Sequence, residues 1–196
     1  MDFQQTSDQD LIHLYIGGDE KGLQELIRRY QQKIYTSIYL LVKDEYLAED
    51  IFQDTFIKVI NTLKAGRYNE EGKFLPWVIR IAHNLVIDHF RREKRTPVIN
   101  NVDDFDIFAV LGRYDESIED KLVREQTHRD LKALIHLLPS EQKEVLIMRH
   151  YGDLSFKEIA DITEVSINTA LGRMRYALNN LRKMLQSKES TLKLNN

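Results

Sequence analysis

Between Val165 and Lys188 the chain carries Arg173, Arg175, Arg182, Lys183 and Lys188 but no carboxylate, although the whole sequence has 31 acids. Drawn as a helix, this stretch gathers Asn168, Thr169, Gly172, Arg173, Arg175, Tyr176 and Asn179 on one side. Ile167, Ala170, Leu171, Met174, Ala177, Leu178, Leu181 and Leu185 are expected to form one broad apolar face opposite. Guanidiniums pair with phosphates, Asn and Thr reach base edges, and a Gly permits close approach to a groove. That is chemistry for holding a polyanion, not for making or breaking bonds. The plain alternative is a solvated face with cations near a helix C-terminus, but it leaves the missing acids unexplained.

A second segment has the same character. In "FLPWVIRIAHNLVIDHFRREKR", Phe74 to Arg95, the residues Leu75, Val78, Ile79, Ala82, Leu85, Val86 and Phe90 recur at helical spacing. The stretch ends on Arg91-Arg92-Glu93-Lys94-Arg95, which cannot be buried with them. Trp77, beside Pro76, is either core filler or an exposed ring on which a base could stack. A third face is acidic: in "AEDIFQDTFIKVINTL", Asp50, Gln53 and Asp54 share one side of a helix, with Glu49 flanking. Acids early in a helix are favoured by its dipole; a rigid Asp-Gln-Asp face could also dock on a basic protein surface.

The elements that must position these faces are helical. Leu23, Leu26, Ile27, Tyr30, Ile34, Ile38 and Leu41 mark one helix, and Ala48, Ile51, Phe52, Phe56, Val59, Ile60 and Leu63 a second. The Trp77 segment is a third, and strand-like alternation is absent, so the expected fold is all-α. Composition shifts over residues 96–117, where acids and Pro replace the periodicity, as in a flexible acidic linker. The expected organisation is a helical domain over 10–95, the linker over 96–117, a second helical domain over 118–186, and a disordered tail over 187–196.

The second domain contains a helix-turn-helix pattern. Ser155-Phe156-Lys157-Glu158 reads as a capping box opening a short helix to about Ile162. Thr163-Glu164-Val165 makes the turn, with Val165 pointing inward, and Ser166 caps a longer helix from Ile167 to Leu185. Two helices at this spacing suit a DNA-binding unit whose second helix enters the major groove.

Several functions are disfavoured. With no Cys, disulfides, thiolate metal sites and Cys nucleophiles are excluded. No HExxH, P-loop or dinucleotide fingerprint appears, and the six His are scattered, so no catalytic site, metal or cofactor is expected. The net charge of -3 argues against a uniformly basic coat. "MDFQQTSDQD" is not a secretory signal, and the longest apolar run is too short to span or insert into a membrane. A cytoplasmic location is the expectation.

Taken together, these stretches resemble the sigma-70 family of RNA polymerase sigma factors, in its extracytoplasmic-function (ECF) group. The family's "AEDIxQexF" stands here as "AEDIFQDTF", its "W…IAxNxxxDxxRrxkR" as "WVIRIAHNLVIDHFRREKR", and its "LPxxxrevxxLrxxxxlsxxEIA" as "LPSEQKEVLIMRHYGDLSFKEIA". The matches run in the expected order over about Asp10 to Leu185.

The resemblance implies sigma region 2 in the first domain and sigma region 4 in the second. It implies that Glu49, Asp50, Gln53 and Asp54 bind the β′ clamp helices of core polymerase, with the β flap as a further polymerase contact. The loop "KAGRYNEEGK", Lys64 to Lys73, with Arg67, Tyr68 and Lys73, would cradle a flipped base of the −10 element. Trp77, Arg80, His83, Asn84, Arg91, Arg92, Lys94 and Arg95 would lie along the duplex and the emerging single strand. Ser166, Asn168, Thr169, Gly172, Arg173, Arg175 and Tyr176 would read the −35 element, and an anti-sigma factor is an implied partner.

The chain also departs from the family. Leu171 and Tyr176 stand where cations are common, which implies a different −35 preference. Glu164 replaces the Gly frequent in such turns, so the turn is expected to need no left-handed residue. Gly22 replaces a small Ala and is expected to loosen its helix. A DNA-binding regulator whose N-terminal helices sense a ligand or dimerise is the competing reading, though it leaves the "AEDIFQD" face without a purpose.

Overall fold

The computed structural model describes residues 3, 5–69, 73–93, 131 and 133–194, without the side chains of 188–194. Lys94, Arg95, the acidic linker over 96–117 and the expected start of the second domain at 118 lie outside the described residues. The chain divides into two compact helical units, and no strand occurs among the described residues.

The first unit holds α1 (Asp8–Ile16), α2 (Lys21–Val42), α3 (Glu45–Lys64) and α4 (Phe74–Glu93). Its core is Leu11, Ile12, Leu26, Ile34, Ile38, Val59, Leu63, Phe74 and Val78, all buried, so each helix turns the stripe set by its periodicity inward. Ser7 caps α1 by accepting from the Asp10 amide at 3.1 Å, and Asp44 caps α3 by accepting from Leu47 at 2.9 Å. Helices α1 and α3 both end in a Schellman turn with a left-handed Gly, Gly18 at φ 100° and Gly66 at φ 61°. The second of these launches the loop toward α4.

Helix α1 is anchored to α2 in two ways. The first is contact: a Cβ at Gly22 would lie 2.2 Å from the Leu11 carbonyl oxygen and 3.0 Å from the Tyr15 amide nitrogen. Gly22 is therefore what lets the two backbones touch, not a loosening of α2 as the sequence alone suggested. The second is a polar network. Glu25, nearly buried, accepts from Arg28 at 2.7 and 2.8 Å and from Arg29 at 2.9 Å. Arg29 and Tyr30 then reach Asp8 of α1 at 3.1 and 2.7 Å, and Arg29 also donates to the Phe3 carbonyl. Burial and the Asp8 bond push the Tyr30 phenol up.

The Arg28 and Arg29 bonds hold the Glu25 carboxyl down to about 2, from an ordinary 4.5. A carboxyl depressed in the folded state stabilises fully above its unfolded pKa, and that contribution disappears as pH falls toward the folded value. Thermal stability should therefore decline as pH drops from about 4.5 to about 2, and Glu25→Gln should flatten that part of the profile. Melting curves followed by circular dichroism check this; parallel profiles for the two chains would remove Glu25 as the cause.

The second unit holds α5 (Ser140–His150), α6 (Phe156–Ile162) and α7 (Ile167–Leu194), with a further helical stretch at 133–136. Leu134, Ile135, Leu138, Leu146, Ala177 and Leu181 form a buried cluster, with Leu131, Met174 and Met184 packed around it. Asn180 of α7 donates to Gln142 of α5 at 2.9 Å, and Arg149 donates to the Leu154 carbonyl at 2.8 Å. Helix α7 continues to Leu194, nine residues past the expected end at Leu185.

Candidate functional site

Helices α6 and α7 and the turn between them form the helix-turn-helix. The capping box is present: Glu158 Oε2 accepts from the Ser155 amide at 2.7 Å, and Ser155 Oγ accepts from the Glu158 amide at 3.3 Å. The turn corrects the expectation about Glu164. This residue is left-handed, with φ 54°, because the Val165 amide must reach back to the Ala160 carbonyl at 3.0 Å to close a Schellman turn. The motif fixes the backbone conformation whatever the residue, and a non-Gly residue there is strained by about 1 kcal/mol. Ser166 then accepts from the Thr169 amide at 3.1 Å and opens α7.

On α7, Ser166, Asn168, Thr169, Arg175 and Tyr176 are exposed, while Gly172 and Arg173 are half-buried. A Cβ at Gly172 would meet nothing within 4 Å, so internal packing does not require the Gly there. The Arg175 guanidinium lies 5.5 Å from the centre of the Tyr176 ring, a cation–π contact that holds a charge beside an aromatic face. The opposite side is less apolar in use than expected. Ala170, Ala177 and Leu181 are buried and Met174 half-buried, but Ile167, Leu171, Leu178 and Leu185 are exposed. Leu171, 44% exposed, thus stands at the edge of the polar face rather than in the core.

In the first unit, Arg80, Asn84, Arg91 and Arg92 of α4 are exposed, as are Arg67 and Lys73 in the preceding loop. Arg91 approaches Asp88 only to 3.7 Å, a weak surface pair, and Arg92 donates to the Asp88 carbonyl at 3.3 Å. Trp77 is half-buried, with its ring centre 4.5 Å from that of Tyr68 and 5.9 Å from that of Phe74. Phe74 is core, so this aromatic chain ties the loop residue Tyr68 to the interior. His83 is 6% exposed and lies on the buried side of α4, away from the Arg80 and Asn84 face. Its spacing agrees, since it lies four residues after Ile79 and three before Val86, both buried.

On α3, Glu49, Asp50, Gln53 and Asp54 are all exposed, and Gln53 donates to Glu49 at 3.1 Å. Among the described residues neither Asp50 nor Asp54 has an ion-pair partner, so both charges face solvent. Sequence reasoning missed two neighbours on this face, Tyr46 and Ile57, both exposed. Their helical spacing from Asp50 and Gln53 was the available signal.

Both helical units resemble parts of known proteins. A family model described as Sigma-70 region 2 matches residues 26–96, and one described as Sigma-70, region 4, matches 128–181. The two matches together span well over half of the chain. The RNA polymerase sigma-H factor of Pseudomonas aeruginosa is 28% identical over 93% of this chain and 95% of its own. The ECF RNA polymerase sigma factor SigW of Bacillus subtilis is 26% identical over 86% of this chain and 91% of its own. Among solved structures, the Bartonella quintana sigma factor RpoE, in complex with the anti-sigma factor NepR, superposes with a TM-score of 0.64 at 19% identity. That match covers 85% of this chain and 98% of the other, and supports the fold. The chain belongs to the sigma-70 family of RNA polymerase sigma factors, within its extracytoplasmic-function group. It acts in promoter-specific initiation of transcription with RNA polymerase, a role that is in general non-catalytic in this family.

Proposed function

We propose that the two units divide promoter recognition between them, with region 2 over 10–95, a linker over 96–117 and region 4 over 118–186. Glu49, Asp50, Gln53 and Asp54 dock on the β′ clamp helices of core polymerase. Arg67, Tyr68, Lys73, Trp77, Arg80, Asn84, Arg91 and Arg92, continued by Lys94 and Arg95, hold the separated −10 strand. There, aromatic stacking and phosphate pairing offset the cost of unstacking bases. Ser166, Asn168, Thr169, Gly172, Arg173, Arg175 and Tyr176 read the −35 duplex, with Gly172, Arg175 and Tyr176 nearest the bases and Arg173 on phosphate. The β flap receives region 4, the chain works in the cytoplasm without catalysis of its own, and an anti-sigma factor holds it inactive.

The observation that carries this reading is the exposed, carboxylate-free face from Ser166 to Tyr176, opening directly from the helix-turn-helix turn. Arg175→Ala should weaken promoter use by about 1–3 kcal/mol, chiefly through the −35 box, if the guanidinium pairs with a base. Transcription from a matched promoter and from one with a scrambled −35 box checks it: the variant should lose activity on the first and little on the second. Equal activity of the wild-type chain on both promoters would remove region 4 from that role.

A further inference from the structure

The exposed face of α3 is not only acidic. Tyr46, Asp50, Gln53 and Ile57 follow one another at spacings of four, three and four, which lines them up along a single stripe of the helix. Tyr46 is 87% exposed and Ile57 54% exposed, one at each end, with Asp50, Gln53 and the adjacent Asp54 between them. Eleven residues of helix span roughly 16 Å. The stripe thus has two apolar ends and an anionic middle, on a helix whose other side is fixed in the core by Ala48, Ile51, Phe56, Val59 and Leu63.

We infer that Tyr46 and Ile57 are the apolar anchors of the polymerase-docking face, and that the occupant is a basic amphipathic helix of core polymerase with apolar side chains roughly 16 Å apart. The inference rests on the docking role proposed for Asp50, Gln53 and Asp54. Charge selects the occupant: the centre of the stripe needs cations opposite it. A second copy of this chain does not supply them, because a two-fold pairing along the stripe sets Asp50 and Asp54 of one copy against carboxylates of the other. The two kinds of residue do different work. The carboxylates orient and speed encounter, and their effect is screened by salt. The buried aromatic and aliphatic anchors exclude water and set residence time, as interface Tyr side chains commonly do.

The test measures binding of the full-length chain to core RNA polymerase at low and high salt, resolving association from dissociation. Tyr46→Gln with Ile57→Gln keeps good helix formers at both positions, and melting curves confirm that the variant folds. This double variant should dissociate about tenfold faster or more at both salt concentrations. Asp50→Asn with Asp54→Asn should instead associate more slowly, and its affinity should depend less on salt. If the carboxylate variant weakens while the Tyr46/Ile57 variant dissociates like wild type, the anchors are refuted and the docking face stands. If neither variant weakens, the docking face itself falls. A wild-type dimer in sedimentation that the Tyr46/Ile57 variant converts to monomer would assign the stripe to a second copy and overturn the proposal.

Discussion

A chain carrying Asp50→Lys and Asp54→Lys should bind core RNA polymerase about 100-fold more weakly than wild type at low salt. Both carboxylates are exposed on α3, so the change adds four units of positive charge to a face that would meet a basic partner. Each reversal turns an attraction into a repulsion. At roughly 1.4 kcal/mol per decade of affinity, two reversals worth about that much apiece give the factor stated. The fold should not suffer. Neither side chain holds an ion pair among the described residues, and surface changes of this kind usually stay within about 0.5 kcal/mol. Binding titration with matched melting curves separates the two effects, and wild-type affinity in a folded variant would take the acidic stripe out of polymerase docking. Promoter-directed transcription should fall with the binding, because an undocked sigma factor cannot bring promoter and enzyme together.

Gly22→Ala should lower the stability of the first unit by about 2 kcal/mol net. Ala gains up to about 1 kcal/mol over Gly within a helix, and somewhat less at Gly22, the second residue of α2. A position that merely loosened α2 would still become more stable on substitution. Here the added Cβ would sit 2.2 Å from the Leu11 carbonyl oxygen, a backbone atom that cannot rotate away. Relief requires moving α1 off α2, which disturbs buried Leu11 and Ile12 and the Asp8 bonds to Arg29 and Tyr30. Overpacking commonly costs about 1–3 kcal/mol; the upper end applies to a backbone clash, and subtracting the helix gain leaves about 2. For a domain of this size that is a melting temperature lower by roughly 8–16 °C. Calorimetry on the full chain decides the sign, and a variant that melts higher than wild type would mean that α1 and α2 do not touch at Gly22.

These two positions show what the sequence could and could not reveal. Asp50 and Asp54 were legible because surface placement follows from helical phase alone, once Ile51, Phe56 and Val59 fix the buried side of α3. The core stripes of α2, α3 and α4 were legible for the same reason. Gly22 was not, because its role depends on how closely a different helix approaches, and α1 is a nine-residue helix that the periodicity did not single out. Glu164 was misread because a Schellman turn imposes its left-handed residue through hydrogen bonds that composition does not display. For His83, chemical type points to DNA contact while its spacing from buried Ile79 and Val86 points inward, and the residue is buried. On α7 the alternation of apolar residues was read correctly as amphipathic, yet only the facing helices decide that Ala177 and Leu181 are covered and Leu171 and Leu178 are not.

In the proposed division of labour, one unit captures the opened −10 strand while the other reads the −35 duplex on the same enzyme. Core polymerase, with and without this chain, transcribing genomic DNA from its own source, with transcript starts mapped, tests it most directly. Adding the chain should produce a new set of starts preceded by two shared sequence blocks at a fixed spacing. Starts that are unchanged by the chain, or that share only one block, would contradict it.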